Sequence, residues 1–240
     1  MKNCLITGVS KGLGLMIATK ILSEGGIVVN ISRSRNNEII DLENKYPQNF
    51  FSYQFDLSDV EHLKEFLKSN IFCKIKFNSF INNAAFAYDD IVTNINLLDL
   101  RKMYDVNVFS PFIIVKYFIR QCLLNNINGS IVHLSSISVH TGYKGLSMYA
   151  STKGALEAFS RNTSREWAEK GIRSNCIVAG FMETNMTSIL SKEKITRIKN
   201  RTSQKELTDL NSVASTISFL ISEDSRSITG SNIFVDSGTI

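Results

Sequence analysis

Seven short apolar runs alternate with stretches of helical spacing, and this alternation constrains the chain more than any other feature. The runs read "KNCLIT", "GIVVNIS", "FFSYQF", "FNSFINNAA", "GSIVHLSS", "IRSNCIVA" and "NIFVD". They have strand length and are rich in β-branched and aromatic residues. Between them lie segments such as "LGLMIATKILSE" and "DVEHLKEFLKS", with Ser58 or Asp59 placed to cap the second. Longer helices are predicted over about 99–125 and about 147–170, and a shorter one near 211–222. Strands joined through helical crossovers run parallel, and runs apolar on both faces need a cover on each side. The expected fold class is α/β: a doubly wound, seven-stranded parallel sheet with helices on both faces. There are only two prolines and no internal repeat, so residues 1–240 are expected to form one domain.

Composition narrows the function classes. The 240 residues are 43% hydrophobic and 20% charged, which is ordinary for a globular chain. No apolar run approaches the ~18 residues of a membrane span. The opening "MKNCLITG" is too short in apolar residues for a signal peptide. A cytoplasmic protein with no membrane partner is expected. The net charge of +5 is spread among acids, as in "DVEHLKEFLK", so no nucleic-acid partner is expected. The four cysteines include no C-x-x-C, and Cys4 and Cys176 read as buried reduced thiols. The three histidines lack metal-ligand spacing, so no metal is expected.

The first strand runs into "TGVSKGLG", with glycines at Gly8, Gly12 and Gly14. The G-x-x-x-G-x-G spacing is a longer relative of the dinucleotide fingerprint. Gly8 permits the tight turn, Gly12 lets backbone approach a pyrophosphate, and Gly14 allows close helix packing. The phosphates would rest on the N–H groups at the start of the helix. No G-K-[ST] follows, so this is not a Walker loop. The fold is therefore expected to be Rossmann-like. The second strand ends "NISRSRNN", offering Ser32, Arg33 and Arg35 and no acid before Glu38. Lys11 points to the same region. A cationic tip suits a ribose 2′-phosphate, so NADP(H) is expected rather than NAD(H).

The middle of the chain adds "NNAA" after the fourth strand, "DVNV" in the long helix, "SS" closing the fifth strand and "YASTK" 13 residues after Ser136. In this order and spacing the motifs resemble the short-chain dehydrogenase/reductase family, from Met1 to the closing "ITGSNIFVDSGTI". Overall similarity is greatest to its β-ketoacyl-carrier-protein reductase-like branch. The resemblance implies an NADPH-dependent oxidoreductase reducing a ketone to an alcohol, with a catalytic tetrad of Asn107, Ser136, Tyr149 and Lys153. Tyr149 and Lys153 stand at i and i+4 on one helix face. The ordinary tyrosine pKa is near 10, and a cationic Lys153 with a bound nicotinamide is expected to lower it. The family's lysine also bonds the nicotinamide ribose. Ser136 would donate to the substrate oxygen, and Asn107 would hold a water linking Lys153 to solvent.

The same resemblance implies further cofactor contacts. These are Ser10 and Leu13 in the glycine loop, Asp56 and Leu57 near the adenine, and Asn83 and Ala84 flanking the adenosine ribose. Gly180, Met182 and Thr184 follow strand six, the last approaching the carboxamide. Two departures stand out: Ala85 replaces the family's usual glycine, and Ala179-Gly180 replaces its usual P-G.

Residues 181–207 correspond to the family's substrate lid. Lys192, Lys194, Arg197, Lys199 and Arg201 lie close together there with one acid, Glu193. This suggests attraction of an anionic substrate, such as a carrier- or CoA-linked thioester. The plain reading is a solvated amphipathic helix with Ile195 and Ile198 facing in. A sugar, polyol or other small ketone stays open as substrate. So do a non-catalytic NADP-binding regulator and an interaction protein with an acidic partner, although the intact tetrad speaks against a lost activity. By resemblance the chain forms a homotetramer or homodimer through the 99–125 and Tyr149 helices, with Phe109, Phe112, Tyr117 and Phe118 serving that interface or the core.

Overall fold

A computed structural model describes residues 2–73, 75–183 and 191–240. Its strands are β1 (Asn3–Thr7), β2 (Ile27–Ser32), β3 (Phe50–Gln54), β4 (Ser79–Asn82), β5 (Gly129–Ser136), β6 (Ile172–Ala179) and β7 (Asn232–Val235). All pair in parallel, in the order β3-β2-β1-β4-β5-β6-β7. The helices are α1 (Gly12–Ser23), α2 (Asn37–Lys45), α3 (Val60–Phe66), α4 (Leu97–Tyr104), α5 (Ser110–Asn125), α6 (Ser147–Trp167), α7 (Lys192–Arg201) and α8 (Leu210–Leu220). The expected doubly wound sheet is therefore present.

The alternation of side chains along each strand divides the core into two layers. Cys4 and Ile6 of β1 point with Val28, Ile81 and Val132 toward α1, α2 and α8, meeting Ile17, Ile21, Ile39, Val213 and Ile217. Leu5 points the other way with Val29, Phe80 and Ile131, toward Leu63, Ile114 and Phe118 of α3 and α5. Phe118 is fully buried, and truncating it to Ala would cost about 3–5 kcal/mol.

The expected helix over 99–125 begins at Leu97 and is interrupted by a π-helical turn, Asp105–Phe109, between α4 and α5. Pro111 gives the reason: it has no N–H for the carbonyl of Asn107, so a regular α pattern cannot run through. A second π turn, Leu67–Ile71, follows α3. Asp59, not Ser58, caps α3 through His62 N–H at 3.3 Å. The segment Leu97–Asn125 is long and apolar enough to span a membrane by composition alone, yet the greater part of its most apolar stretch is buried in the fold. It serves as a core helix against the sheet. Cys4, Cys122 and Cys176 are buried free thiols, and Cys73 is exposed.

Candidate active site

The strand order reverses at β1, which has β2 on one side and β4 on the other. Chains leaving β1 and β4 therefore diverge and open a crevice at the carboxyl ends. A cleft of about 470 Å³ lies there. It is lined at one end by the glycine loop and the tip of β2, and at the other by Tyr149, Lys153 and Met182.

Gly8 and Gly12 have φ of 77° and 57°, a left-handed backbone that favours glycine. Gly14 has another reason to be glycine. A Cβ there would overlap the Gly8 carbonyl oxygen and stand 2.6 Å from Asn83 Nδ2. Asn83 is itself the clamp on this loop. Its Nδ2 donates to the carbonyls of Thr7 (3.0 Å) and Gly8 (2.9 Å). Thr7 Oγ1 in turn accepts from the N–H groups of Asn83 and Ala84. The expected ribose neighbour thus spends its amide nitrogen on holding the loop, while Asn83 and Ala84 both line the cleft.

Helices α2, α3, α4, α7 and α8 each begin with a side-chain cap. Among the described residues none caps α1, whose N-cap is Lys11 and whose first turn holds no acid. Its free N–H groups and dipole face the cleft, which suits an anion. Ser10, Lys11, Gly12 and Leu13 line the same stretch. Asn36 Nδ2 donates to the Ser10 carbonyl at 2.7 Å and ties the loop to the β2 tip.

At that tip Arg33 is exposed on the cleft wall, while Arg35 turns away to pair with Glu43. Ser32 is buried, its hydroxyl donating to the Ser34 carbonyl at 3.0 Å. Burial alone would raise the Asp56 carboxyl. Hydrogen bonds from Ser58 N–H and Oγ, with Arg33 and Lys102 nearby, outweigh it and hold the group below its ordinary value. Leu57 packs beside it. Lys102 of α4 also lines the cleft, 5.2 Å over the Phe86 ring, and had no local signal in the sequence.

At the other end, Lys153 is buried and donates Nζ to the Leu134 carbonyl at 2.7 Å. Its Nζ lies 5.6 Å from the Tyr149 ring centroid. Ser136 closes β5, and its Oγ accepts from Ser138 N–H (3.1 Å) and Oγ (3.0 Å). Its own hydroxyl proton is thereby left to donate elsewhere. Asn107 is fully buried in the π turn, with Nδ2 donating to the Phe86 carbonyl and to Thr152 Oγ1. Asn107 is thus fully enclosed, whereas Ser136 is only half-buried. Gly180 packs on Thr208 and Asp236, where a Cβ would clash. Thr184 lies outside the described residues.

A family profile described as enoyl-(acyl carrier protein) reductase matches residues 8–239. The 3-oxoacyl-[acyl-carrier-protein] reductase FabG of Buchnera aphidicola subsp. Schizaphis graminum is 31% identical over 99% of this chain and 96% of its own length. That of Aquifex aeolicus is 28% identical over the same shares. Among solved structures, 4-hydroxyisoleucine dehydrogenase complexed with NADH superposes with a TM-score of 0.93 at 26% identity, covering 100% of this chain and 98% of that one. ElxO with NADP bound gives 0.89 at 30% identity, covering 99% and 98%. The chain belongs to the short-chain dehydrogenase/reductase family. It is an oxidoreductase of that family.

The expected lowering of the Tyr149 phenol in this dehydrogenase/reductase involves Lys153 together with a bound nicotinamide. The chain's own groups move the Tyr149 phenol the other way. Burial, with a smaller contribution from the Asp89 carboxylate, pushes it above its ordinary value near 10. Burial also pulls the Lys153 ammonium down from 10.5 to about 8. At neutral pH the pair is a protonated phenol beside an ammonium that gives up its proton far more readily than usual. That is the protonated phenol from which a carbonyl reduction starts, not the phenolate base of the reverse reaction.

Proposed function

We propose that this oxidoreductase reduces a ketone to a secondary alcohol with NADPH. One observation carries the reading: Tyr149 and Lys153 line the same cleft as the uncapped, three-glycine start of α1. The residues fit a dinucleotide phosphate. Gly8 and Gly12 supply the left-handed turns of the loop and Gly14 lets it close on itself, the α1 N–H groups face the cleft, and Lys11 and Arg33 offer cations where a 2′-phosphate needs them. The bound nicotinamide supplies the hydride. Tyr149 gives its hydroxyl proton to the carbonyl oxygen. Ser136 donates a hydrogen bond to the same oxygen and stabilises its growing charge. Lys153 offsets the negative charge left on Tyr149. Asn107 ties the Tyr149 helix to residue 86 through Thr152 and Phe86.

For the substrate we favour a 3-oxoacyl thioester. The matched FabG relatives act on such carriers by name, and the basic face of α7 supports an anionic substrate. Only Ile195 and Ile198 of α7 are partly buried, so its cations are free to meet solvent. We take 181–207 as the lid of one catalytic domain and the cytoplasm as its setting. Phe109 is 48% exposed whereas Phe118 is buried and Phe112 stacks on Phe159, so Phe109 is the aromatic we assign to a homodimer or homotetramer contact.

The test is turnover and binding together. NADPH oxidation is followed with acetoacetyl-CoA and small ketones, and titration calorimetry compares NADPH with NADH. Tyr149→Phe should bind NADPH normally and show no turnover. Arg33→Ala should bring NADPH binding down to the NADH level. Failure of the wild-type chain to bind either nucleotide would overturn the reading.

A further inference from the structure

Helix α6 presents a third side chain on the face that carries Tyr149 and Lys153. Glu157 stands one turn beyond Lys153 and is only 6% exposed. Its carboxylate accepts from Ser135 Oγ, from Asn232 Nδ2 at 2.6 Å, and from His140 Nε2 at 3.0 Å. A carboxylate this buried is costly unless its oxygens are paired, and here donors arrive from three elements besides its own. Ser135 lies on β5, Asn232 opens β7, and His140 ends the 3₁₀ turn Ile137–Val139. The His140 ring packs edge-on against Phe234, with centroids 4.9 Å apart.

The placement around Ser136 gives the cluster meaning. Ser135 precedes Ser136 directly, and His140 follows it by four residues. Glu157 therefore grips the chain on both sides of the residue assigned to orient the carbonyl. Lys153 adds a second tie from the same helix, to the carbonyl of Leu134. The turn between the two grips is held locally, by Ser138 donating to Ser136 Oγ and by the N–H groups of His140 and Thr141 donating to the Ile137 carbonyl. We propose that Glu157 is the positioning residue for Ser136, fixing its hydroxyl relative to Tyr149 by holding Ser135 and His140 to α6.

This rests on the assignment of Ser136 in the proposed reaction, so the experiment must separate the two. Glu157→Leu, Glu157→Gln, His140→Gln and Ser136→Ala are measured singly, with Glu157→Gln and Glu157→Leu also made in the Ser136→Ala background. The substrate is a ketone that wild type turns over, and NADPH affinity is read by calorimetry. Ser136→Ala should lower kcat about 100-fold. Glu157→Leu should lower it about tenfold, as expected of a sub-ångström misplacement, with NADPH affinity within twofold. Glu157→Gln and His140→Gln should give smaller losses, because part of the network survives. In the Ser136→Ala background the Glu157 changes should have no further effect on kcat. Equal losses in both backgrounds would sink the positioning role, as would an unchanged kcat in Glu157→Gln. An unchanged kcat in Ser136→Ala would overturn the Ser136 assignment itself. If Glu157→Leu fails to fold, the Glu157→Gln and His140→Gln series decides.

Discussion

The side chain of Asn107 hydrogen-bonds both backbone groups of Phe86, donating to its carbonyl at 2.9 Å and accepting from its N–H at 2.8 Å. A third bond, to Thr152 Oγ1 at 3.0 Å, reaches α6. One fully buried amide thus joins the π turn, the chain after β4 and the helix carrying Tyr149. Asn107→Leu keeps similar bulk but orphans the Phe86 N–H and carbonyl. Each orphaned group costs up to about 1–3 kcal/mol, so a loss of about 2–6 kcal/mol is expected. Thr152→Val removes one acceptor and should cost about 1 kcal/mol. Urea unfolding checks both: the midpoints should shift in that order with unchanged slope.

Glycine is required at Gly14 by space and at Gly25 by backbone angle alone. A Cβ on Gly14 would overlap the Gly8 carbonyl oxygen and crowd Asn83 Nδ2. At Gly25, φ is 79° and nothing lies within 4 Å. Gly25→Ala should cost about 1–2 kcal/mol and leave NADPH affinity unchanged. Gly14→Ala should cost about 1–3 kcal/mol through overpacking and weaken NADPH at least tenfold, because the loop that faces the phosphates must move. Calorimetric titration of the two variants side by side tests this. Equal NADPH affinities would show that the clamp between Gly14 and Asn83 does not shape the site.

These residues also mark how far the sequence could be read. Strands β5 and β6 match their apolar runs residue for residue, since turn residues bound runs buried on both faces. The glycine loop was legible because its spacing follows the first strand. The π turn at Asp105–Phe109 was not, because one inserted residue barely disturbs helical periodicity; Pro111 was its only local sign. Asn83 was assigned to the ribose, and only the strand order brings its amide onto the Thr7 and Gly8 carbonyls. Nothing in the local sequence singles out Lys102 or Glu157. Their places in the cleft wall and in a buried network depend on contacts distant in sequence, to which local pattern is blind.

The basic helix α7 separates steering from chemistry. Lys194 and Arg197 are exposed, so reversing them to Glu should leave stability within about 0.5 kcal/mol. If the substrate is an anionic thioester, KM for acetoacetyl-CoA should rise about fivefold at low salt, with kcat within twofold. Wild-type KM should rise as potassium chloride is added, and the variant's should not. A neutral ketone should show neither effect. Salt-independent KM values in wild type would remove α7 from substrate capture.

Lys153 ties activity and stability to pH in opposite senses. Burial lowers its pKa from 10.5 to about 8. The unfolded chain keeps that proton up to about 10.5, whereas the folded chain releases it near 8. Between these values the unfolded state binds more protons, so stability rises with pH. Below 8 both states hold the proton and the folded state bears the whole cost, about 3 kcal/mol. Lys153→Met escapes this cost but leaves the Leu134 carbonyl without its donor, at about 1–3 kcal/mol. The variant should therefore be about 1 kcal/mol more stable than wild type at pH 7, and the advantage should be gone by about pH 9 and reversed by about pH 10. Activity should move the other way. The raised Tyr149 phenol stays protonated throughout this range, so Lys153 is the group of the pair that titrates. In the reduction direction kcat/KM, which reports the free enzyme, should be level below about 8 and fall above it. Lys153→Met should be slower by at least about 100-fold and lack that fall. Thermal melts and pH-rate profiles on the same two proteins decide the matter: a fall that persists in Lys153→Met would assign it to another group.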